Sequence, residues 1–69
     1  MAYTIYERIA TISENPARNF ALEVNLISWN GAEPKLDIRR WDKITGEPLK
    51  GLTLSKKELQ ILKEVLKDF

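Results

Sequence analysis

The chain has 69 residues, a net charge of +1, and neither cysteine nor histidine. That length makes one domain, residues 1–69. The composition excludes disulfides, thiolate metal sites and the imidazole that most often serves as metal ligand or general base near neutral pH.

Met1-Ala2-Tyr3-Thr4-Ile5 lacks the basic segment and apolar run of a signal peptide. No apolar stretch approaches the ~20 residues that cross a bilayer, so a soluble cytoplasmic protein with no membrane partner is expected. Residues 3–13 carry apolar side chains on both parities, Tyr6, Ala10 and Ile12 on one and Tyr3, Ile5 and Ile9 on the other. That pattern predicts a strand that is covered on both faces or bent. Glu14-Asn15-Pro16 reads as a turn, because Pro16 cannot donate to a ladder.

Residues 19–29 alternate strictly: Phe20, Leu22, Val24 and Leu26 against Glu23, Asn25, Ile27 and Trp29. The pattern predicts a strand with its leucine side on a core and its other side exposed. Asn30-Gly31-Ala32-Glu33-Pro34 is a loop. Residues 35–42 alternate again, with Leu36 and Ile38 against Lys35, Asp37, Arg39 and Trp41. A hairpin with Trp29 near Lys35 sets Ile27 opposite Asp37, Asn25 opposite Arg39 and Glu23 opposite Trp41. Trp29, Lys35, Arg39 and Trp41 then share one exposed face.

Ile44-Thr45-Gly46-Glu47-Pro48 is a second loop, and residues 49–54 are a short strand. Ser55-Lys56-Lys57-Glu58 matches a capping box that starts a helix running to about Asp68. Its apolar residues Leu59, Ile61, Leu62, Val65, Leu66 and Phe69 span an arc of roughly 160° at ~100° per residue, wider than one sheet needs. The fold class is therefore α+β: a four-stranded antiparallel curved sheet followed by one C-terminal helix. A chain this short commonly needs a staple, and with no cysteine or histidine the one that remains is self-association, for which a partner's helix would use the rest of that apolar arc.

Lys35 to Lys57 holds seven basic and three acidic residues, a local net charge of +4. A local basic face steers a polyanion even when the total charge is small, although a solvated surface accounts for the same residues. Tryptophans offer π surfaces on which unpaired bases stack, and Arg39, Lys35 and Lys43 offer charge to phosphates. The competing reading packs both tryptophans away and pairs Arg39 with Asp37 or Glu23. Lys50, Lys56 and Lys57 are weaker candidates, and Arg18 can reach a ligand from the turn after Pro16. Asp37 and Asp42 lie on opposite faces of their strand, so they form no magnesium site. No catalytic constellation emerges, and no cofactor, metal or small-molecule substrate is expected.

The stretch Glu23-Val24-Asn25-Leu26-Ile27-Ser28-Trp29-Asn30-Gly31, followed by Pro34-Lys35-Leu36-Asp37-Ile38-Arg39-Arg40-Trp41, resembles the bacterial YdbC-type branch of the transcriptional coactivator family called positive cofactor four. Lys50-Gly51-Leu52-Thr53-Leu54-Ser55, leading into a helix, is similar to the same family's fourth strand. The resemblance covers nearly the whole chain. It implies a dimer whose curved sheets form a groove for single-stranded DNA, with the helices at the dimer interface. Arg39 and Trp41 match the family's third-strand arginine and tryptophan, Trp29 its second-strand aromatic, and Lys35 more loosely its basic residues after that turn. The serine- and lysine-rich tail of eukaryotic members is absent, so tail-mediated coactivation is not implied.

Three functions compete. The first is a single-stranded DNA binder with little sequence preference, acting in transcription, replication or repair through Trp29, Lys35, Arg39, Trp41, Lys43, Arg18 and Lys50. The second is an RNA binder using the same face, since stacking and phosphate contacts do not read the sugar. The third is a protein-interaction module built on Trp29, Ile27 and Trp41.

Overall fold

The computed structural model describes residues 2–69. Four strands precede one helix: β1 (Tyr3–Asn15), β2 (Phe20–Trp29), β3 (Lys35–Asp42), β4 (Pro48–Leu54) and α1 (Lys56–Leu66). Short loops join successive strands, so each pairs with its neighbour in chain order, giving one antiparallel sheet β1-β2-β3-β4. This is the α+β arrangement expected from the pattern.

β1 is bent. Its pairing with β2 skips Tyr6, Ile9 and Ile12, each an extra residue with no partner of its own. Every bulge bends the strand, increases its twist and resets the alternation. That is why apolar residues fall on both parities, and why these three remain exposed.

The β2–β3 register differs from the expected one by two residues. Ile27 pairs with Lys35, Asn25 with Asp37, Glu23 with Arg39 and Ala21 with Trp41. The connecting turn starts at Trp29, whose carbonyl accepts from Ala32 N at 3.0 Å. Asn30 and Gly31 inside it take φ of 53° and 77°. Two consecutive positive φ angles suit the right-handed twist of the strands they join. A shift of two preserves parity, so the side chains that share a face are those expected.

The sheet curls strongly. Tyr3 pairs with Trp29 at one end of β2, and Trp41 pairs with Ala21 at the other. Eight residues of flat strand would hold those ends about 26 Å apart. Yet the Tyr3 ring lies 5.3 Å from the Trp29 ring and 5.6 Å from the Trp41 ring. The ends therefore close over the face carrying Ala21, Glu23, Asn25, Ile27, Asp37 and Trp41, all of them buried.

This corrects the expected sidedness. The face bearing the tryptophans is the interior, whereas Phe20, Leu22, Val24 and Leu26 are only half-buried. Alternation assigns residues to a common face; the direction of curl decides which face is covered. At Gly51 β4 lies close against β3. The glycine sits opposite Arg39, and a methyl group there would overlap Arg39 Cβ and Cα and the Ile38 carbonyl.

The helix starts as predicted. Ser55 Oγ accepts from Glu58 N at 3.1 Å, and Glu58 Oε1 accepts from Ser55 N at 2.8 Å. The backbone N–H and the hydroxyl of Ser55 hold the Glu58 carboxyl below its ordinary pKa. α1 lies on the outer face beside Ile38, Leu52 and Leu54, and an apolar groove of about 400 Å³ runs between them and Ile61, Leu62 and Val65. No residue of α1 is buried. No described helix is long and apolar enough to cross a membrane.

Gly51→Ala is expected to force β4 away from β3 at a cost of about 1–3 kcal/mol, read as a lower urea midpoint. An unchanged midpoint would show that the two strands do not need this close approach.

Candidate nucleic-acid interface

Asp37, in mid-β3, is fully buried at 0% exposure. Its carboxylate accepts from Arg39 Nε at 2.7 Å, Arg39 Nη2 at 2.9 Å, Thr53 Oγ1 at 2.8 Å and Trp29 Nε1 at 3.2 Å. Residues 37 and 39 point to one side of the strand, so the arginine can fold back and grip the carboxylate with two parallel bonds. Arg39 Nη1 also donates to the Leu49 carbonyl at 2.8 Å. The guanidinium carbon lies 4.7 Å from the centre of the Trp29 ring, a stack that favours a cation over the indole face.

A second cluster surrounds Glu23, which is 5% exposed. Lys43 Nζ donates to Oε2 at 2.9 Å, Asn25 Nδ2 donates to Oε1 at 3.2 Å, and Arg8 Nη1 lies 3.5 Å from Oε1. Burial pushes the Glu23 carboxyl up. The bonds from Lys43 and Asn25 and the charges of Lys43 and Arg8 together outweigh that, so its pKa lies below the ordinary 4.5. An open trough of about 470 Å³ runs past Arg8, Thr11, Glu23, Asn25 and Lys43. A smaller hollow of about 110 Å³ adjoins Tyr3, Arg8, Glu23, Trp41 and Lys43.

The structure corrects two expectations about exposure. Trp41 is 4% exposed and packs against Tyr3, so its ring is not an open stacking surface. Its Nε1 has no partner among the described residues. Arg39 is not a free cation: it is held by Asp37, the pairing weighed against a binding role. Trp29 is half-buried, with Arg39 over its ring.

Tyr3 brings Trp29 and Trp41 together, and Lys43 joins their face through Glu23. The remaining candidates lie apart and exposed. Arg18 sits in the β1–β2 turn, Lys50 on edge strand β4, and Lys35 at the start of β3. The Lys35 charge acts on Glu58 at the helix start. Among the described residues, no group of three or more carboxylates is placed to hold a metal. Asp42 instead accepts from Ile44 N at 2.8 Å and Thr45 N at 3.1 Å, fixing the β3–β4 loop.

Sequence reasoning missed Arg8, Tyr3 and Asn25 as members of these clusters. For Arg8 and Tyr3 the signal was hidden by the β1 bulges, which separate parity from facing. Asn25 is legible as a polar residue on a regular strand, but alternation alone places it on the open side.

The chain is thus a curled four-stranded sheet with one terminal helix and a buried carboxylate–guanidinium–indole cluster. No family model matches it. It is 34% identical over 64 residues to an uncharacterized protein of Treponema pallidum (strain Nichols), and the match covers 93% of this chain and 74% of that one. The chain belongs to the same family as that protein.

Asp37→Ala leaves the Arg39 charge and two donors without their acceptor. It is expected to cost about 3–5 kcal/mol in urea unfolding; a loss below 1 kcal/mol would show that the cluster is not structural. Glu23 yields a pH prediction. Its folded pKa is depressed, so its contribution is complete above the unfolded value near 4.5 and is lost as pH falls through the folded value. Wild type should therefore lose more stability than Glu23→Gln as pH falls from about 5 through and below the unfolded value. Parallel stability profiles for the two proteins would contradict this.

Proposed function

We propose that the protein is a homodimer that binds single-stranded nucleic acid, with DNA as the first ligand, and that it is not an enzyme. The observation that carries the reading is the open trough on the curled face, with Arg8 and Lys43 on its walls. A single strand needs cations that follow its backbone and flat groups on which bases stack. Arg8 and Lys43 supply charge, and their side chains stay 68% and 49% exposed despite their contact with Glu23. Trp29 and Tyr3, both half-buried, are the available rings. Arg18, Lys35 and Lys50 add exposed charge at the rim. The resemblance to the positive cofactor four family favours DNA over RNA, and it suggests work in transcription, replication or repair.

The homodimer reading rests on the outer face. Leu52, Ile61 and Val65, each half exposed or more, line an apolar groove, and Leu66 next to Val65 in sequence is 50% exposed. A short helix with no buried residue gains little from its own sheet. A second copy offers the same apolar surface, as a two-fold interface requires.

The test is fluorescence anisotropy with labelled single-stranded DNA, matched RNA and duplex DNA, paired with light scattering for mass. Binding to the DNA strand should weaken with salt at a log–log slope of about −0.7 per neutralised phosphate. Lys43→Ala should weaken it severalfold, and the mass should be twice the 8.0 kDa chain. Tighter binding to RNA would reassign the ligand. Absence of binding at low salt would end the nucleic-acid reading, and a monomer at micromolar concentration would end the dimer.

A further inference from the structure

The edge strand β1 repeats a unit of three residues. Ile5, Arg8 and Thr11 pair with Ile27, Asn25 and Glu23 of the inner face, and Glu7, Ala10 and Ser13 pair with Leu26, Val24 and Leu22 of the outer face. One residue is skipped between each inner partner and the next outer one: Tyr6, then Ile9, then Ile12. These are the large apolar side chains of β1 that stand in solvent, 62%, 47% and 57% exposed. Bulges protect a free edge from unwanted pairing, and polar residues at the bulges would serve that purpose equally well. The choice of tyrosine and isoleucine points to a contact.

The repeat says where that contact lies. A bulge re-aims its side chain, and equivalent bulges re-aim theirs alike. Ile9 lines the trough beside Arg8, Thr11 and Lys43. Tyr6 and Ile12 hold the equivalent positions on either side of it, so the three form a row along the trough's rim. Successive bulges are separated by two residues of β2, a step of about 7 Å. That is close to double the ~3.4 Å rise between stacked nucleotides of one strand, so a strand drawn out along this edge sets one unstacked base at each bulge. Glu7, between Tyr6 and Ile9, belongs to the outer series and lies off that path. A second polypeptide strand gains little here, because the bulges interrupt the ladder it would extend.

We propose that the β1 edge is a base-contacting rim of the strand site, on which Tyr6, Ile9 and Ile12 take three successive bases of an extended single strand while Arg8 and Lys43 face its phosphates. The inference rests on the single-strand reading above and adds to it a set of apolar contacts and a register of one base per bulge.

The experiment uses the full chain and a labelled oligothymidine, with affinity read by anisotropy across a salt series and mass by light scattering. Tyr6→Ala should weaken binding about fivefold, and Tyr6→Trp should retain it. The combined variant Tyr6→Ala/Ile9→Thr/Ile12→Thr, in which threonine keeps the strand preference, should weaken it about tenfold. The salt slope should stay at the wild-type value in each, because no cation is removed. A strand carrying iodouracil should crosslink to Tyr6 of the wild type on irradiation, a readout that serves if the combined variant fails to fold. Wild-type affinity in the combined variant, or crosslinks that leave Tyr6 out, would overturn the rim and leave the trough intact. A loss of affinity accompanied by a halved mass would overturn it too, by assigning the row to a second copy. No binding by the wild type would overturn both the rim and the single-strand reading.

Discussion

A carboxylate shut away from water must be met by donors, because an unpaired ion in that setting costs several kcal/mol. Asp37 is met by four bonds from three strands: Trp29 on β2, Arg39 on its own strand and Thr53 on β4. Satisfying one side chain therefore fixes the relative positions of β2, β3 and β4. It also sets the Trp29 ring, on which Tyr3 leans, and Tyr3 in turn reaches Trp41 at the far end of the sheet. The setting of the aromatic rings and the placement of Arg39 follow from that buried charge. Arg39 uses its remaining reach on the Leu49 carbonyl, so the guanidinium is ordered before any ligand arrives.

Much of this was legible in the residues. The strict alternation of β2 and β3, the loops at Asn30–Pro34 and Ile44–Pro48 and the Ser55/Glu58 box specify four strands and a helix. These signals are local and need no tertiary knowledge. Three features were not legible. The β1 bulges at Tyr6, Ile9 and Ile12 destroy the period on which strand reading depends. The β2–β3 register depends on how many residues the turn uses, and the turn closes at Trp29 rather than beyond it. The covered face depends on the direction of curl, to which the β1 bulges contribute and which leaves no mark in polarity. The candidate site suffered most from the last point. The parity of Trp29, Arg39 and Trp41 was right, but their exposure was inverted.

That inversion changes how the two faces are understood. The inner face is small, aromatic and rich in satisfied polar groups: Asn25 and Asp37 are about as buried as Ile27, and Glu23 nearly so. Such a network gives geometric definition more than net stability, because each hydrogen bond mostly replaces one made to water. The outer face carries most of the leucine and isoleucine, yet it is half open. The chain thus places its specific interactions where water is excluded by curvature. Its largest source of hydrophobic stabilisation stays only partly used within one copy.

The same arrangement constrains the electrostatics of any ligand on the inner face. Arg39 is neutralised by Asp37, and Lys43 and Arg8 share Glu23. An incoming polyanion meets cations whose charge is partly spent but whose positions are already set. Ordering a lysine or arginine side chain costs up to ~2 kcal/mol of rotamer entropy, and here the ion pairs have already met part of that cost. Long-range attraction would be weakened in exchange and would fall to Arg18, Lys35 and Lys50, which form no ion pair within 4 Å among the described residues. In the proposed complex, capture and positioning would thereby be divided between two sets of residues: exposed cations at the edges would attract, and the carboxylate-anchored groups inside the curl would determine how the strand is held.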